Sequence, residues 1–322
     1  MSDQNKTLVI VTPILDDWDC LKLLAGRIDT AMSNTGYSIT LLVVNDGSLM
    51  PCTLDKSISS TFNSITSIEI IDLIRNMGHQ RAIVTGLAWA HHEKKADYIV
   101  VMDGDGEDRP EDIPKLLETA IRNKDRIVFA QRAKRSEGIA FRIFYRIYKL
   151  LFRILTGASI SYGNFCIIPS SLVKRVLHVS EIWNHFASGI INSRLPFVTM
   201  PAERGMRYCG RSRLKFTSLV LLGLSAIAVS LDRAAVRLIM ASIGLICFSL
   251  LAILTIVAIR FYTDLAIPGW ATYAVLSFSI IIVQGFTISA FLTFLVLSYR
   301  TQRHFIPYTD YSLFVLNHSV VA

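Results

Sequence analysis

The stretch Ile99-Val-Val-Met-Asp-Gly-Asp-Gly-Glu-Asp-Arg-Pro-Glu-Asp112 decides the fold. Tyr98 to Val101 is a short β-branched run that reads as a buried strand. It ends in carboxylates at alternate positions, Asp103, Asp105 and Glu107. A helix start follows, with Asp108 as N-cap, Pro110 in the first turn, and Glu111 and Asp112 favourable to the helix dipole. Capping accounts for the last three acids and leaves the first three unexplained. Three carboxylates at the carboxyl end of a strand repel one another unless a cation sits among them. A hard divalent ion with oxygen ligands, shared with substrate phosphates, suits that set. The carboxyl ends of strands are also where open α/β sheets place ligands. A solvated acidic loop is the competing reading of these residues alone.

Outward from this stretch, strand and helix signals alternate. Strands are expected at Thr7–Thr12, Thr40–Val44, Ser67–Leu73 and Arg126–Ala130, and helices at Trp18–Ser33 and Arg81–His92. Such alternation implies a mostly parallel sheet with helices on both faces. The second strand ends in Asn45-Asp46-Gly47-Ser48, either a plain turn or part of a nucleotide site. Gly78 precedes a helix, where it serves a tight turn or lets backbone N–H groups approach a phosphate. Between Phe141 and Leu155, Arg142, Arg146, Lys149 and Arg153 share one helical face among aromatic and aliphatic residues. That pattern suits a membrane surface, or a core helix with one solvated face.

The chain has 322 residues, 52% of them hydrophobic, and the apolar excess lies beyond about residue 215. Leu238 to Ile259 is uncharged and long enough to span a bilayer, and Ala271 to Ser298 is a second such run. Arg211, Arg213, Lys215, Arg233 and Arg237 precede the pair, and Arg300 and Arg303 follow it. The positive-inside rule then puts both flanks, and both termini, in the cytoplasm. Phe216 to Leu231 is short for a span and reads as a helix in the membrane interface, with a third span as the alternative. The net charge of +8 fits attraction to anionic lipid, and no nucleic-acid motif is visible. Five scattered Cys (20, 52, 166, 209, 247) fit reduced thiols in a cytoplasmic domain. No cleavable signal peptide is expected, because Leu8 to Val11 is too short for one.

Taken together, these segments resemble glycosyltransferase family 2, and within it the polyprenyl-phosphate glycosyltransferases. The family's V-P-x-Y-N-E-E loop stands here as Thr12-Pro13-Ile14-Leu15-Asp16-Asp17, and its D-D-G-S as Asn45 to Ser48. Its N-x-G-x-x-x-A-x-x-x-G stands at Asn76, Gly78, Ala82 and Gly86, and its M-D-A-D-L-Q-D-P-P-E at Met102 to Glu111. Arg132, Gly163-Asn164-Phe165 and Arg207-x-x-Gly210-x-Ser212 follow in order before the apolar hairpin.

The resemblance implies a GT-A fold: an α/β, Rossmann-like, mostly parallel sheet in a cytoplasmic domain (1–213), followed by an interfacial helix (214–233), two transmembrane helices (234–300) and a cytoplasmic tail (301–322). It implies a bacterial inner-membrane enzyme with Mg²⁺ or Mn²⁺ as cofactor. The reaction would be inverting transfer of a sugar from a UDP- or GDP-sugar to polyprenyl phosphate. A homo-oligomer is left open. By position, Asp103, Asp105, Arg132 and Arg207 would be the catalytic set, and Asp103, Asp105 and Glu107 the metal ligands. Pro13, Asp16, Asp46, Gly78, Gln80 and Asp103 would bind the donor, and Arg132, Arg207, Ser212 and Arg213 the acceptor phosphate. Arginine suits that task because its planar fork matches phosphate oxygens.

Three departures mark this chain. Leu15, Asp16 and Asp17 replace the aromatic and the Asn-Glu of the first loop. The family's G-D-F-R reads Gly163-Asn164-Phe165-Cys166, without the carboxylate or the arginine. Leu49 stands where an acid is usual. The competing functions are transfer to another lipid or glycan acceptor, and a non-catalytic membrane scaffold.

Overall fold

The structure, a computed structural model, describes residues 6–53, 62–132, 139–157, 162–209, 216–263, 269–302 and 304–321. The chain divides into two units, Met1–Ile139 with Ile160–Val229 and His304–Ala322, and Ala140–Ser159 with Ser230–Arg303.

The first unit is built on strands β1 (Lys6–Ile14), β2 (Tyr37–Asn45), β3 (Ile65–Leu73), β4 (Tyr98–Val101), β5 (Ile127–Arg132), β6 (Cys166–Pro169), β7 (Phe197–Ala202) and β8 (Val315–Val320). They form one sheet in the order β7-β5-β6-β4-β1-β2-β3-β8. The block β4-β1-β2-β3 is parallel, as is β5-β7, whereas β6 and β8 run antiparallel to their neighbours. Parallel neighbours bring the carboxyl ends of β1 to β4 to one edge, where the site lies. Along β1 seven successive residues are buried, as expected of a strand covered on both faces. Leu8, Ile10, Leu41 and Val43 face one core with α1 (Trp18–Met32) and α3 (Ile113–Arg122). Val9, Val11, Leu42 and Val44 face the other with α2 (His79–Glu93) and α5 (Ser170–Leu177).

The helix start after Asp108 and the C-terminal segment differ from the expectations. Asp108 is not an N-cap: a 3₁₀ turn at Pro110–Asp112 precedes α3, whose N-cap is Asp112. The Asp108 carboxylate is buried and accepts from the Asp103 N–H at 2.9 Å, closing the acidic loop on itself. The C-terminal residues, read as a tail, return to the sheet as β8 on the edge of β3. His318 Nε2 lies 2.9 Å from the Glu69 carboxylate there, and Phe305 and Phe314 pack on Trp183. Burial of those rings, rather than the polar flank of a hairpin, fixes the segment.

The second unit contains α4 (Ile139–Thr156), α8 (Leu231–Tyr262) and α9 (Trp270–Thr301). Helices α8 and α9 are each 32 residues, long and apolar enough to cross a membrane, and almost wholly exposed, unlike core helices. They pack as a hairpin, with Gly285 against Ile246, and Arg300 paired with Asp232 at 3.1 Å shows that both open ends lie together. Arg237 donates to the carbonyls of Arg153 and Ile154, satisfying the last turn of α4. On α4, Leu150, Leu151 and Ile154 are exposed beside Arg146, Lys149 and Arg153, which does not fit a core helix. The run expected in the interface forms α7 (Phe216–Ala228), 13 residues and about 20 Å, too short for a hydrocarbon core of about 30 Å. Between α5 and β7 lies α6 (Phe186–Asn192).

Candidate active site

Four loops follow the carboxyl ends of β1 to β4, and a fifth segment, Glu203 to Cys209, follows β7. Gly104 lies against the end of β1, where an added Cβ would stand 3.3 Å from the Pro13 carbonyl. Pro13 therefore backs the acidic loop directly. Asp105 Oδ1 accepts from the Glu107 N–H at 2.9 Å, a tight turn that aims the acids apart.

Each acid faces a basic side chain. Asp103 Oδ1 is 3.1 Å from His79 Nε2, Asp105 Oδ2 is 3.6 Å from Arg207 Nη1, and Glu107 Oε2 is 2.6 Å from Arg204 Nη2. Burial raises the Asp105 pKa, as do the charges of Asp103 and Glu107, against the Glu107 N–H and Arg207. Burial would lower the His79 pKa, but its side chain is still 44% exposed in the open cleft, which blunts desolvation. The Asp103 carboxylate, with Asp108 and Asp105 behind it, raises it instead.

Among the described residues, no three His, Cys, Asp or Glu side chains gather as a ligand set. Of the expected triad, Glu107 is turned to Arg204 in this structure, which leaves Asp103 and Asp105 as the pair that shares the short loop. A pair still fits the ion: Mg²⁺ is characteristically held by one or two carboxylates plus substrate phosphates. Asp103 and Asp105 are hard oxygen donors on one short loop, and the mutual repulsion that adds to burial in raising Asp105 is what a divalent ion would relieve.

Several residues expected to bind donor are committed to bracing the loops. Asp46, 4% exposed, accepts from the N–H groups of Met77 at 2.6 Å and Gly78 at 3.0 Å. Burial raises its pKa against those two bonds. The Gly78 N–H is thereby spent, and Gly78 caps α2 with φ +91°. Asp16 Oδ1 accepts from the N–H groups of Leu49 and Met50 at 2.7 and 3.0 Å. Gln80 Oε1 accepts from the Phe186 N–H at 2.7 Å, holding α6. The reason is common to Asp46, Asp16 and Gln80: backbone N–H groups need acceptors, and these are the polar side chains within reach.

The cleft also contains residues outside the expected set. Trp18, Asn45, Ser48, Met50, Asp72 and Ser319 line a cavity of about 360 Å³ at the ends of β2 and β3. Ser319 comes from β8, so only the return of the C-terminal segment could reveal it. His79 lies between Asp103 and the Asn164 amide, which is 3.2 Å from its Nε2. Its place beside Gly78 in the loop was the available signal. Cys166 starts β6 fully buried, and burial pushes its thiol up, so it has no place at the cleft surface.

The segment after β7 is fastened to the acidic loop. Gly205 N–H donates to the Glu107 carbonyl, and Tyr208 N–H to the Asp105 carbonyl, both at 2.9 Å. Gly106 has φ +90°, and the Tyr208 ring covers it so closely that a Cβ would stand 2.7 Å from three ring carbons. Gly205 is tighter still, since a Cβ there would meet the Gly106 carbonyl at 2.2 Å. Arg207 is thus brought to Asp105 and, at 3.4 Å, to Asp17. Arg132 ends β5, and its side chain, with Ser212 and Arg213, lies outside the described residues.

Residues 10–178, more than half of the chain, match the family model Glycosyl transferase family 2. The uncharacterized glycosyltransferase YkcC of Bacillus subtilis (strain 168) is 26% identical over 277 residues, 83% of this chain and 81% of that one. The undecaprenyl-phosphate 4-deoxy-4-formamido-L-arabinose transferase of Pectobacterium carotovorum subsp. carotovorum (strain PC1) is 26% identical over 231 residues, 68% of this chain and 66% of its own length. Its namesake from Photorhabdus laumondii subsp. laumondii is 30% identical over 166 residues, half of this chain and 48% of its own. The chain thus spans about half to two thirds of these transferases. Among solved structures, glucosyl-3-phosphoglycerate synthase of Mycobacterium tuberculosis, crystallised with Mn²⁺, UDP-glucose and phosphoglyceric acid, superposes with a TM-score of 0.50. It covers 71% of this chain and 80% of that one at 14% identity, a likeness of fold alone. The fold is GT-A, and the chain belongs to glycosyl transferase family 2 and is a glycosyltransferase.

Proposed function

We propose that this glycosyltransferase moves a sugar from a UDP- or GDP-sugar to polyprenyl phosphate, undecaprenyl or dolichyl, with Mg²⁺ or Mn²⁺. It would do so on the cytoplasmic side of a bacterial inner membrane. One observation carries the reading: Arg207 faces the Asp105 carboxylate at 3.6 Å in a chain that also has two helices long enough to span a bilayer. A carboxylate pair suits the donor's metal-bound diphosphate, and an arginine suits an anionic acceptor. The Pectobacterium relative, by its name, acts on undecaprenyl phosphate, which supports the acceptor class.

Asp103 and Asp105 would hold the ion, which when bound neutralises charge building on the departing diphosphate. Asp46 and Asp16 keep the loops around the donor rigid through their N–H bonds. Trp18, lining the cavity beside Asn45, supplies the aromatic side chain that the first loop lacks at Leu15. Arg207 holds the lipid phosphate for attack on the anomeric carbon, whose bond to the diphosphate oxygen breaks as the new bond forms. The nucleophile is an anion already, so no base need replace the acid that stands here as Asn164.

The test is transfer from radiolabelled UDP- and GDP-sugars to polyprenyl phosphate in detergent with Mg²⁺ or Mn²⁺. A labelled lipid from one donor is expected. No product from any donor with folded protein would transfer the reading to another acceptor or to a scaffold.

A further inference from the structure

We infer that Arg207 is the resident counter-cation of Asp105, and that it is released to the acceptor phosphate only when Asp105 turns to the donor's divalent ion. Loading the donor half of the site thereby assembles the acceptor half. The inference rests on the proposed reaction and adds an order of events to it.

Three features of the Arg207 environment carry the inference. First, Arg207 is held loosely by charge: Asp105 Oδ2 is 3.6 Å away, beyond hydrogen-bond distance, and Asp17 Oδ2 is 3.4 Å away. Its Nε is buried without a hydrogen-bond partner, so part of the fork is unspent. Second, its backbone is held firmly by other bonds. Gly205 and Tyr208 donate to the carbonyls of Glu107 and Asp105, Arg204 pairs with Glu107, and the Arg27 guanidinium lies 4.8 Å from the centre of the Tyr208 ring. Arg207 can therefore let go of Asp105 by a side-chain rotation, with Asp17 as pivot, while the segment stays in place. Third, a guanidinium cannot shed its charge. An ion on the Asp105 oxygens and Arg207 on the same carboxylate exclude each other by like-charge repulsion. The displaced fork then offers its donors to an anion. Two ligands that share one carboxylate and one arginine in this way are coupled, and by linkage each tightens the other.

The test is binding of farnesyl phosphate to the full-length protein in detergent, measured by calorimetry with and without Mn²⁺. Mn²⁺ is expected to tighten it about ten-fold. Asp105→Asn, which frees Arg207, should bind farnesyl phosphate without Mn²⁺ as tightly as the wild type does with it, and gain nothing further from the ion. Asp103→Asn removes the same charge from the carboxylate that faces His79, and should bind as weakly as the ion-free wild type. Equal binding by the two variants, or a wild type indifferent to Mn²⁺ that still binds farnesyl phosphate, would overturn the exchange and leave the proposed reaction standing. No binding under any condition, by protein that does bind Mn²⁺, would overturn the acceptor assignment and the exchange together.

Discussion

At the scale of single residues, the acids of this chain divide into those that brace and those that face the cleft. Asp29 accepts from the N–H groups of Asn63, Ser64 and Ile65, and Asp46 and Asp108 do the same for other turns. Asp103 and Asp105 are the acids the proposed reaction uses. Asp105→Asn should lower turnover at least about 100-fold, the usual loss when one charge-stabilising group is removed. Thermal unfolding should be unchanged, and full activity in the presence of chelator would refute the metal assignment. His185 gives a pH prediction. It caps α6, its Nδ1 accepting from the Ser188 N–H at 3.3 Å, and burial lowers its pKa from 6.5 to about 4. Between those values the unfolded chain binds a proton that the folded chain does not. The stabilisation is whole above pH 6.5 and lost as pH falls toward 4, up to about 3 kcal/mol. His185→Asn keeps a cap acceptor, so its melting temperature should fall less over that range than that of the wild type.

At the scale of elements, β8 is the least expected and most consequential. It gives Glu69, 2% exposed, a further partner in His318 beside Lys94 and Ser67, and it covers the edge of β3. His318→Ala leaves that buried carboxylate with one partner fewer and should cost about 1–3 kcal/mol, read as a lower melting temperature in detergent. An unchanged melting temperature would mean that Lys94 and Ser67 suffice. The segment after β7 matters in the same way. Gly205→Ala cannot seat its Cβ beside the Gly106 carbonyl, so it should lower kcat/KM for the acceptor more than for the donor. Equal effects would show that the segment serves only the fold. The strand Tyr98–Val101 and the start of α1 are where the alternation placed them. Strands β6, β7 and β8 were not anticipated, because four to six residues with no clear period carry little local signal.

At the scale of the molecule, a hairpin of two long apolar helices leaves and re-enters a sheet domain whose last strand comes after it. Arg300 beside Asp232 puts the two open ends on one side of the hairpin, and the proposed topology makes that side cytoplasmic. In a variant with the five Cys replaced by Ser, Thr263→Cys should react with an impermeant maleimide added outside intact cells. Gln302→Cys should react only after lysis, and the reverse pattern would invert the topology.

The amino-acid sequence determined the features that local pattern encodes. These are the β-branched strand with acids at alternate positions, the alternation that makes a parallel sheet, and two uncharged runs of bilayer length. Each follows from a period or a length that holds whatever surrounds it. Tertiary structure decided which acid does what. Asp108 and Asp46 became braces because particular N–H groups arrived beside them, and Glu107 gained a partner in Arg204, 97 residues away. It also made the C-terminal segment a strand, since only the exposed edge of β3 and the Trp183 ring gave those residues something to bury against.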